Sequence, residues 1–307
     1  MMISDKQEAL WVAGLLATNR YRLLRRVDLR NLVFPEPEGD VKSAVFVDVE
    51  TTGLSHGHDK VIELGMQAFD FDAKDRIVGL GPSYQGFQDP GMPIPSKITE
   101  ITGITDDDVR GQSLNMTEIQ DIFRHSRLII AHNARFDRPF VEALVPETSE
   151  MAWACSLQDL DWDVMGLRNK SLDYLLMRHG LFHEAHRALD DVQAGVALLG
   201  EDDPDGQQLF ARLTKHARKP SFLLTFHDTP FDWKDSLKAL GCYWSSGDDG
   251  QVKGWSMKCS SAEEAMALHA HVGEELGQVE AMLSRYNALT RYKSEDVPNH
   301  REILKPN

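Results

Sequence analysis

Three short stretches hold acids where they could do chemistry. The apolar run Ala44–Leu54 (AVFVDVETTGL) carries Asp48 and Glu50 and stops at a Thr-Thr-Gly turn. Alternate side chains of a strand share a face, so the two acids project side by side. Like charges so placed repel unless a cation sits between them. A divalent ion such as Mg²⁺ or Mn²⁺, which prefers oxygen ligands, fits such a pair. By itself Asp-x-Glu is a common tripeptide, ordinarily a solvated strand end, and the rest of the chain has to decide.

Two further segments add to it. In His132–Asp137 (HNARFD) a buried strand ends and Asp137 falls on the opening turn of a helix, a position the helix dipole also favours for an acid. In His186–Asp191 (HRALDD) a loop enters a helix that continues through Val192, Val196 and Leu199. A spacing of five does not stack two side chains on one helical face. His186 is therefore expected on the loop, folded back over the site, with Asp191 pointing from the helix; Asp190 is the neighbouring alternative ligand. A zinc site from His179, His183 and His186 is the competing reading, but His183-Glu184-Ala185-His186 is one residue short of His-Glu-x-x-His, so its histidines do not share a face. Cys155 reads as a buried apolar residue.

The elements that must position these groups follow from periodicity. Strands are expected at Ala44–Leu54, Lys60–Phe71 and Ile77–Phe87 as an antiparallel meander. Helical character follows at the start of Ile94–Thr105 and at Met116–His125, then a short strand at Arg127–His132. A helix begins near Phe136, with Pro139 tolerated in its first turn. Met151–Ser156 reads as a strand, and Ser171–His179 and Ala188–Leu199 as helices. This order predicts an α/β fold, a mixed sheet with helices on both faces. Before it, Ser4–Gln7 reads as a capping box opening a helix, Tyr21–Arg30 as a basic amphipathic helical extension, and Phe34–Asp40 as a linker. After the acidic, turn-rich Glu201–Gly206 comes a helical connector. From Ser221 a small α+β domain is expected: a strand, a helix at Trp233–Leu240, a hairpin at Cys242–Cys259 with a Ser-Gly-Asp-Asp-Gly turn, and a helix from Ser261. The corresponding division is 1–40 extension and linker, 41–202 main domain, 203–220 linker, 221–290 small domain and 291–307 flexible tail.

The chain has 307 residues and a net charge of -15. So acidic a protein cannot coat a long polyanion through a broad basic surface. If nucleic acid is the substrate, contact must be local and cation-bridged, which suits an enzyme holding a strand end. No apolar stretch is long enough to span a bilayer, and Asp5, Lys6 and Glu8 interrupt the place of a signal peptide's apolar core. Cys155, Cys242 and Cys259 lie far apart without zinc spacing, as expected in a reducing cytoplasm.

Taken in order, Asp-x-Glu at a strand end, Asn-Ala-x-Phe-Asp at a strand–helix junction and His-x-x-x-x-Asp opening a late helix resemble the DEDD exonucleases of the RNase H-like superfamily. The match is to the subgroup with a histidine base, which includes the proofreading subunit of DNA polymerase III and ribonuclease T. The resemblance spans about Ser43–Leu199 and extends to VIELG (Val61–Gly65) and ITGIT (Ile101–Thr105). It implies an RNase H-like sheet and a 3′–5′ exonuclease acting on single-stranded ends, DNA favoured over RNA. It implies two divalent ions, Mg²⁺ or Mn²⁺, held by Asp48, Glu50, Asp137 and Asp191, with His186 as general base. Thr51, Thr52, Gly53, Leu54, Asn133 and Phe136 would receive the terminal nucleotide, with Leu54 wedged against its base. Two hard cations roughly 3.5–4 Å apart can clamp the attacking and leaving oxygens of a phosphodiester. Asp48, central at the strand end, is the natural bridging ligand, and a histidine titrating near neutrality can take a proton from water. The alternatives are a proofreading subunit bound to a polymerase or repair complex, and a silent nucleic-acid-binding module. In the small domain, lysines interleaved with Tyr243, Trp244 and Trp255 could hold a single strand, though the two tryptophans read more simply as its core.

Overall fold

Lys42–Thr51 is buried on both faces, with Ala44 through Val47 each at most 1 % exposed, because helices cover both sides of the sheet it centres. The structure is a computed structural model that describes residues 5–247, 252–294 and 298–305. Helix α1 (Asp5–Ala17) and the two-residue β1 (Arg25–Arg26) precede β2 (Lys42–Thr51), β3 (Val61–Phe71) and β4 (Ile77–Phe87). Then come α2 (Ser96–Thr102), α3 (Asp106–Val109), α4 (Met116–His125), β5 (Ser126–Ala131), α5 (Ala134–Leu144) and β6 (Trp153–Cys155). α6 (Leu172–Arg178), β7 (Leu181–Phe182), α7 (Ala188–Gly200) and α8 (Leu209–Ala217) follow. The sheet runs β4-β3-β2-β5-β6, antiparallel among β2, β3 and β4 and parallel from β2 to β5 to β6. This is the expected mixed sheet.

Alternation along β2 decides what each face does. Val45, Val47 and Val49 enter the cluster that includes Ile119 and Phe123 of α4 and Phe140 of α5. Ala44 and Phe46 enter the opposite cluster with Val192, Val196 and Leu199 of α7. Asp48 and Glu50 continue that second face, so they point to the α7 side.

A second sheet, ordered β12-β11-β8-β10-β9 and antiparallel throughout, is built from β8 (Ser221–Phe226), β9 (Tyr243–Ser245), β10 (Gly254–Cys259), β11 (Ala281–Tyr286) and β12 (His300–Leu304), with helices α9 (Lys234–Ala239) and α10 (Ala262–Glu275). Leu224, Phe226 and Trp255 of one face pack with Leu237 of α9 and Val272 of α10. Trp255 is 8 % exposed but Trp244 51 %, so one tryptophan is core and the other meets it at the surface, edge on at 5.5 Å.

Several expectations need correction. The tail is not loose: β12 pairs with β11, and Arg291 is buried. Tyr21–Arg30 is not a helix; Arg25–Arg26 pairs in parallel with Leu181–Phe182, and Leu29 enters the main core, so tertiary pairing overrides the amphipathic pattern. The stretch at 203–220 is not a free linker, since Leu209, Phe210 and Leu213 of α8 are fully buried against the main core. Helix α5 starts at Ala134, before the expected point, which puts Pro139 in its second turn, where it lacks the N–H that would bond four residues back. Ser4 of the expected capping box and most of the Ser-Gly-Asp-Asp-Gly turn lie outside the described residues.

Candidate active site

Asp48, Glu50 and Asp191 meet at the C-terminal end of β2, each offering an oxygen within 4.8 Å of the others. Asp137 joins them from α5; it is 2 % exposed, and its Oδ1 accepts the Val49 N–H at 3.3 Å. Burial, then the neighbouring Asp137, Asp191, Glu50 and Glu63, push the Asp48 carboxyl well above the usual range. Burial, followed by Asp191 and Glu63, pushes Glu50 up to about 7, with Arg187 opposing. Asp137 is raised as well, chiefly by burial. A cluster this crowded lacks positive charge, and its donors are all carboxylate oxygens. That set fits a hard divalent ion, with Asp48, Glu50, Asp137 and Asp191 as the residues that would hold it.

Two glycines let α7 come close enough. A Cβ on Gly65 of β3 would fall on the backbone of Ala188 and, at 2.6 Å, on Leu189 N; one on Gly195 would strike the Phe46 ring. Glu63, fully buried and paired across the sheet with Glu50, fixes the opening of the same helix. Its Oε2 accepts the Ala188 N–H at 3.2 Å, and its Oε1 accepts from Arg187 at 3.2 Å and from Gln85 at 2.6 Å. Glu63 therefore holds Asp191 in place through the helix it begins. An acid inside the otherwise apolar VIELG was the sequence signal for it, since charged groups are rarely buried without partners.

The histidines divide differently from expectation. His183, not His186, touches Asp191 through its side chain: Nε2 lies 2.7 Å from Oδ1. Burial works against a charge on His183, but the bond to Asp191 and the carboxylates of Asp173 and Asp190 raise its pKa overall. His186 is exposed, sits at φ 68 in the left-handed region, and gives Asp191 Oδ2 its backbone N–H at 2.9 Å. Periodicity offered no signal for His183, because the loop before α7 has none.

The turn after Glu50 is held from within. Thr51 Oγ1 donates to Gly53 O at 2.5 Å, and Thr52 Oγ1 accepts the Lys60 N–H at 3.0 Å. Both threonines are buried, while Leu54 stands 84 % exposed. Asn133 is exposed at φ 90 just before α5, and Phe136 is half-buried beside Phe140. His132 is fully used structurally, bonded to Ser156 Oγ at 2.8 Å and Lys170 O at 2.9 Å.

The profile of the RNase_T exonuclease family matches residues 45–199, which contain all of these acids and both histidines. The chain belongs to this exonuclease family. Residues 45–199 form a DEDDh-type exonuclease domain of the RNase H-like superfamily. Its sequence is 35 % identical over 116 residues to the PolC-type DNA polymerase III of Streptococcus thermophilus, across 36 % of this chain and 8 % of that one. It is 31 % identical over 175 residues to the PolC-type polymerase of Thermotoga maritima, across 54 % of this chain and 12 % of that one. The chain thus spans only about a tenth of the length of these curated relatives. In fold it resembles the zinc-bound E. coli exonuclease I–single-stranded DNA complex, with a TM-score of 0.50 and 17 % identity over 74 % of this chain and 67 % of that one. Among the described residues no helix is long and apolar enough to cross a membrane.

Proposed function

We propose that this exonuclease shortens single-stranded DNA from its 3′ end by hydrolysing the terminal phosphodiester, using divalent Mg²⁺ or Mn²⁺. The observation that carries the reading is the convergence of Asp48, Glu50 and Asp191 within 4.8 Å beside the buried Asp137. Bound there, two such ions would neutralise the phosphate and stabilise the attacking and leaving oxygens. The remaining work falls to the chain. The Thr51–Leu54 turn, Asn133 and Phe136 receive the terminal nucleotide, Leu54 offering the exposed apolar surface on which its base rests. His186 takes a proton from the attacking water as the loop closes over the nucleotide, and His183 holds Asp191 in register. The main unit is assigned to residues 41–202, with the second unit starting at Ser221. The three cysteines are free and buried, which suits action in a reducing cytoplasm.

The test uses 5′- and 3′-labelled single strands of DNA and RNA with Mg²⁺, Mn²⁺ or EDTA. A ladder shortening from the 3′ end, abolished by EDTA, is expected; a ladder from the 5′ end would overturn the polarity. The two histidines separate in a second experiment. His186→Ala should lose about a hundredfold or more in turnover, the usual worth of a positioned base, with Mn²⁺ affinity kept. His183→Ala should weaken Mn²⁺ binding, because Asp191 loses its partner. If His186→Ala abolishes metal binding instead, His186 is a ligand.

The likeness to PolC-type polymerases favours a second reading, a proofreading activity working with a polymerase. Co-purification of a polymerase catalytic subunit with the full chain would support it.

A further inference from the structure

One surface of the second unit is not explained by its own core. Trp255 of β10 is buried with Leu237 of α9 and Val272 of α10, but Phe231 stands 78 % exposed and Trp244 51 %. Single exposed apolar side chains are ordinary on a protein surface, whereas aromatics in a row with cations between them are not. Phe231 opens the short turn Phe231–Trp233 that leads into α9. Lys234 and Lys238 lie three and seven residues after it, so all three share one side of the segment. Lys234 Nζ sits 4.5 Å from the centre of the Phe231 ring, and Lys238 Nζ 5.8 Å from that of Trp255. Trp244, opposite Trp255 in the β9–β10 pairing, meets it edge on. It carries the row to the border of the sheet, where β9 is the last of the described strands.

Leu237, fully buried in the core of this unit, sets the rotation of α9. Lys234 and Lys238 both stand to one side of it, roughly 60–100° round the helix, and Lys238 there meets Trp255. The groups these lysines touch are rings rather than carboxylates. The negative face of a ring holds a cation in place without neutralising it, so each ammonium keeps its charge and its N–H donors for an anion. Asp232 and Asp235 are exposed in the same segment, which makes the row a local line of cations in a chain of net charge -15, not a broad basic face. A ligand that fits it must bring flat apolar faces and negative charges in alternation. A purely apolar partner would leave the ammonium groups unmatched, and a simple anion would leave Phe231 and Trp244 uncovered. An exonuclease already handles a molecule with both properties. In single-stranded nucleic acid the bases are free to stack on aromatic side chains while the phosphates meet cations; in a duplex the bases are already stacked on one another.

We propose that Phe231, Lys234, Lys238 and Trp244 form a platform for single-stranded nucleic acid, with bases stacked on the two exposed rings and phosphates on the two lysines. It would hold the strand at a place outside the acid cluster. The choice of ligand rests on the exonuclease reading. Fluorescence anisotropy of a 5′-labelled 20-nucleotide thymidine strand with the full chain in EDTA, across a salt series, reads binding without turnover. Phe231→Ala with Trp244→Ala should weaken binding about tenfold or more, whereas Trp244→Phe, which keeps a stacking face, should stay within about twofold of wild type. Lys234→Gln with Lys238→Gln should flatten the log–log salt slope by about 0.7 for each phosphate that the protein no longer neutralises, and the paired Arg substitutions should restore it. A blunt duplex of the same length is the control. The two Ala substitutions should leave its binding unchanged, and an equal loss on duplex and single strand would overturn the stacking role. Wild-type affinity and salt slope in both double variants would remove the platform even if 3′ trimming is observed. Strand binding that depends on these four residues, in a protein that trims no end, would uphold the platform and sink the 3′-trimming reading instead.

Discussion

Asp48→Asn is expected to cut exonuclease turnover by about a thousandfold, or ~4 kcal/mol at 1.36 kcal/mol per decade. The substitution is isosteric, so packing at the end of β2 should survive. What it removes is the acid against which Asp137, Asp191 and Glu50 all press. The same crowding makes a second, opposite expectation. In the metal-free protein the folded state holds the protons of Asp48 and Glu50 more tightly than the unfolded chain does. Stability must therefore fall as pH rises from the ordinary carboxylate range, near 4.5, through about 7, where Glu50 loses its proton. Asn cannot ionise. At pH 8 in EDTA the variant should melt above the wild type, and added Mn²⁺ should raise the wild-type melting temperature far more than the variant's. Activity assays and thermal melts at pH 5, 6.5 and 8 check both. Near wild-type turnover in Asp48→Asn would remove the carboxylate from the mechanism, and a variant that melts below wild type at pH 8 would contradict the charge argument.

The fold around the acids was legible because its signals are local. The apolar run rising into two acids and the Thr-Thr-Gly turn marked β2, the buried RLIIAH run marked β5, and first-turn acids marked α5 and α7. Three carboxylates from separate elements could be grouped from sequence only through their resemblance to a known family. The structure brings Asp191 to β2 through α7, which lies against β2 and β3, and Asp137 through α5. Other features depend on distant partners and leave little local trace. β11 is fixed by pairing with β8, and β12 by pairing with β11; the polar tail gave no alternation to read. Arg25–Arg26 became a strand because Leu181–Phe182 offered its backbone. His183 found Asp191 by loop geometry alone. That Trp255 lies in the core of the second unit and Trp244 outside it could be recognised only after the placing of α9, β9 and β10 was known.

Gly65→Ala is expected to be nearly as damaging as loss of an acid, though it lies on no ligand. The added methyl would land on the Ala188 carbonyl and the Leu189 amide, both backbone, which cannot rotate away as a side chain would. Overpacking of this kind costs about 1–3 kcal/mol of stability, and relief requires α7 to lift from β3. The movement breaks the bond from Ala188 N–H to Glu63 and carries Asp191 away from Asp48 and Glu50. A displacement of about 1 Å at reacting groups can cost a hundredfold in rate, so turnover should fall by about that factor in protein that is still folded at assay temperature. Gly79→Ala is the control, because its nearest atoms would be those of Asp70 at 3.9 and 4.0 Å, ordinary contact. Circular dichroism melts separate lost stability from lost geometry. If Gly65→Ala keeps wild-type turnover and Mn²⁺ affinity, the close seat of α7 on β3 is not what sets the metal site, and the part assigned to Glu63 falls with it.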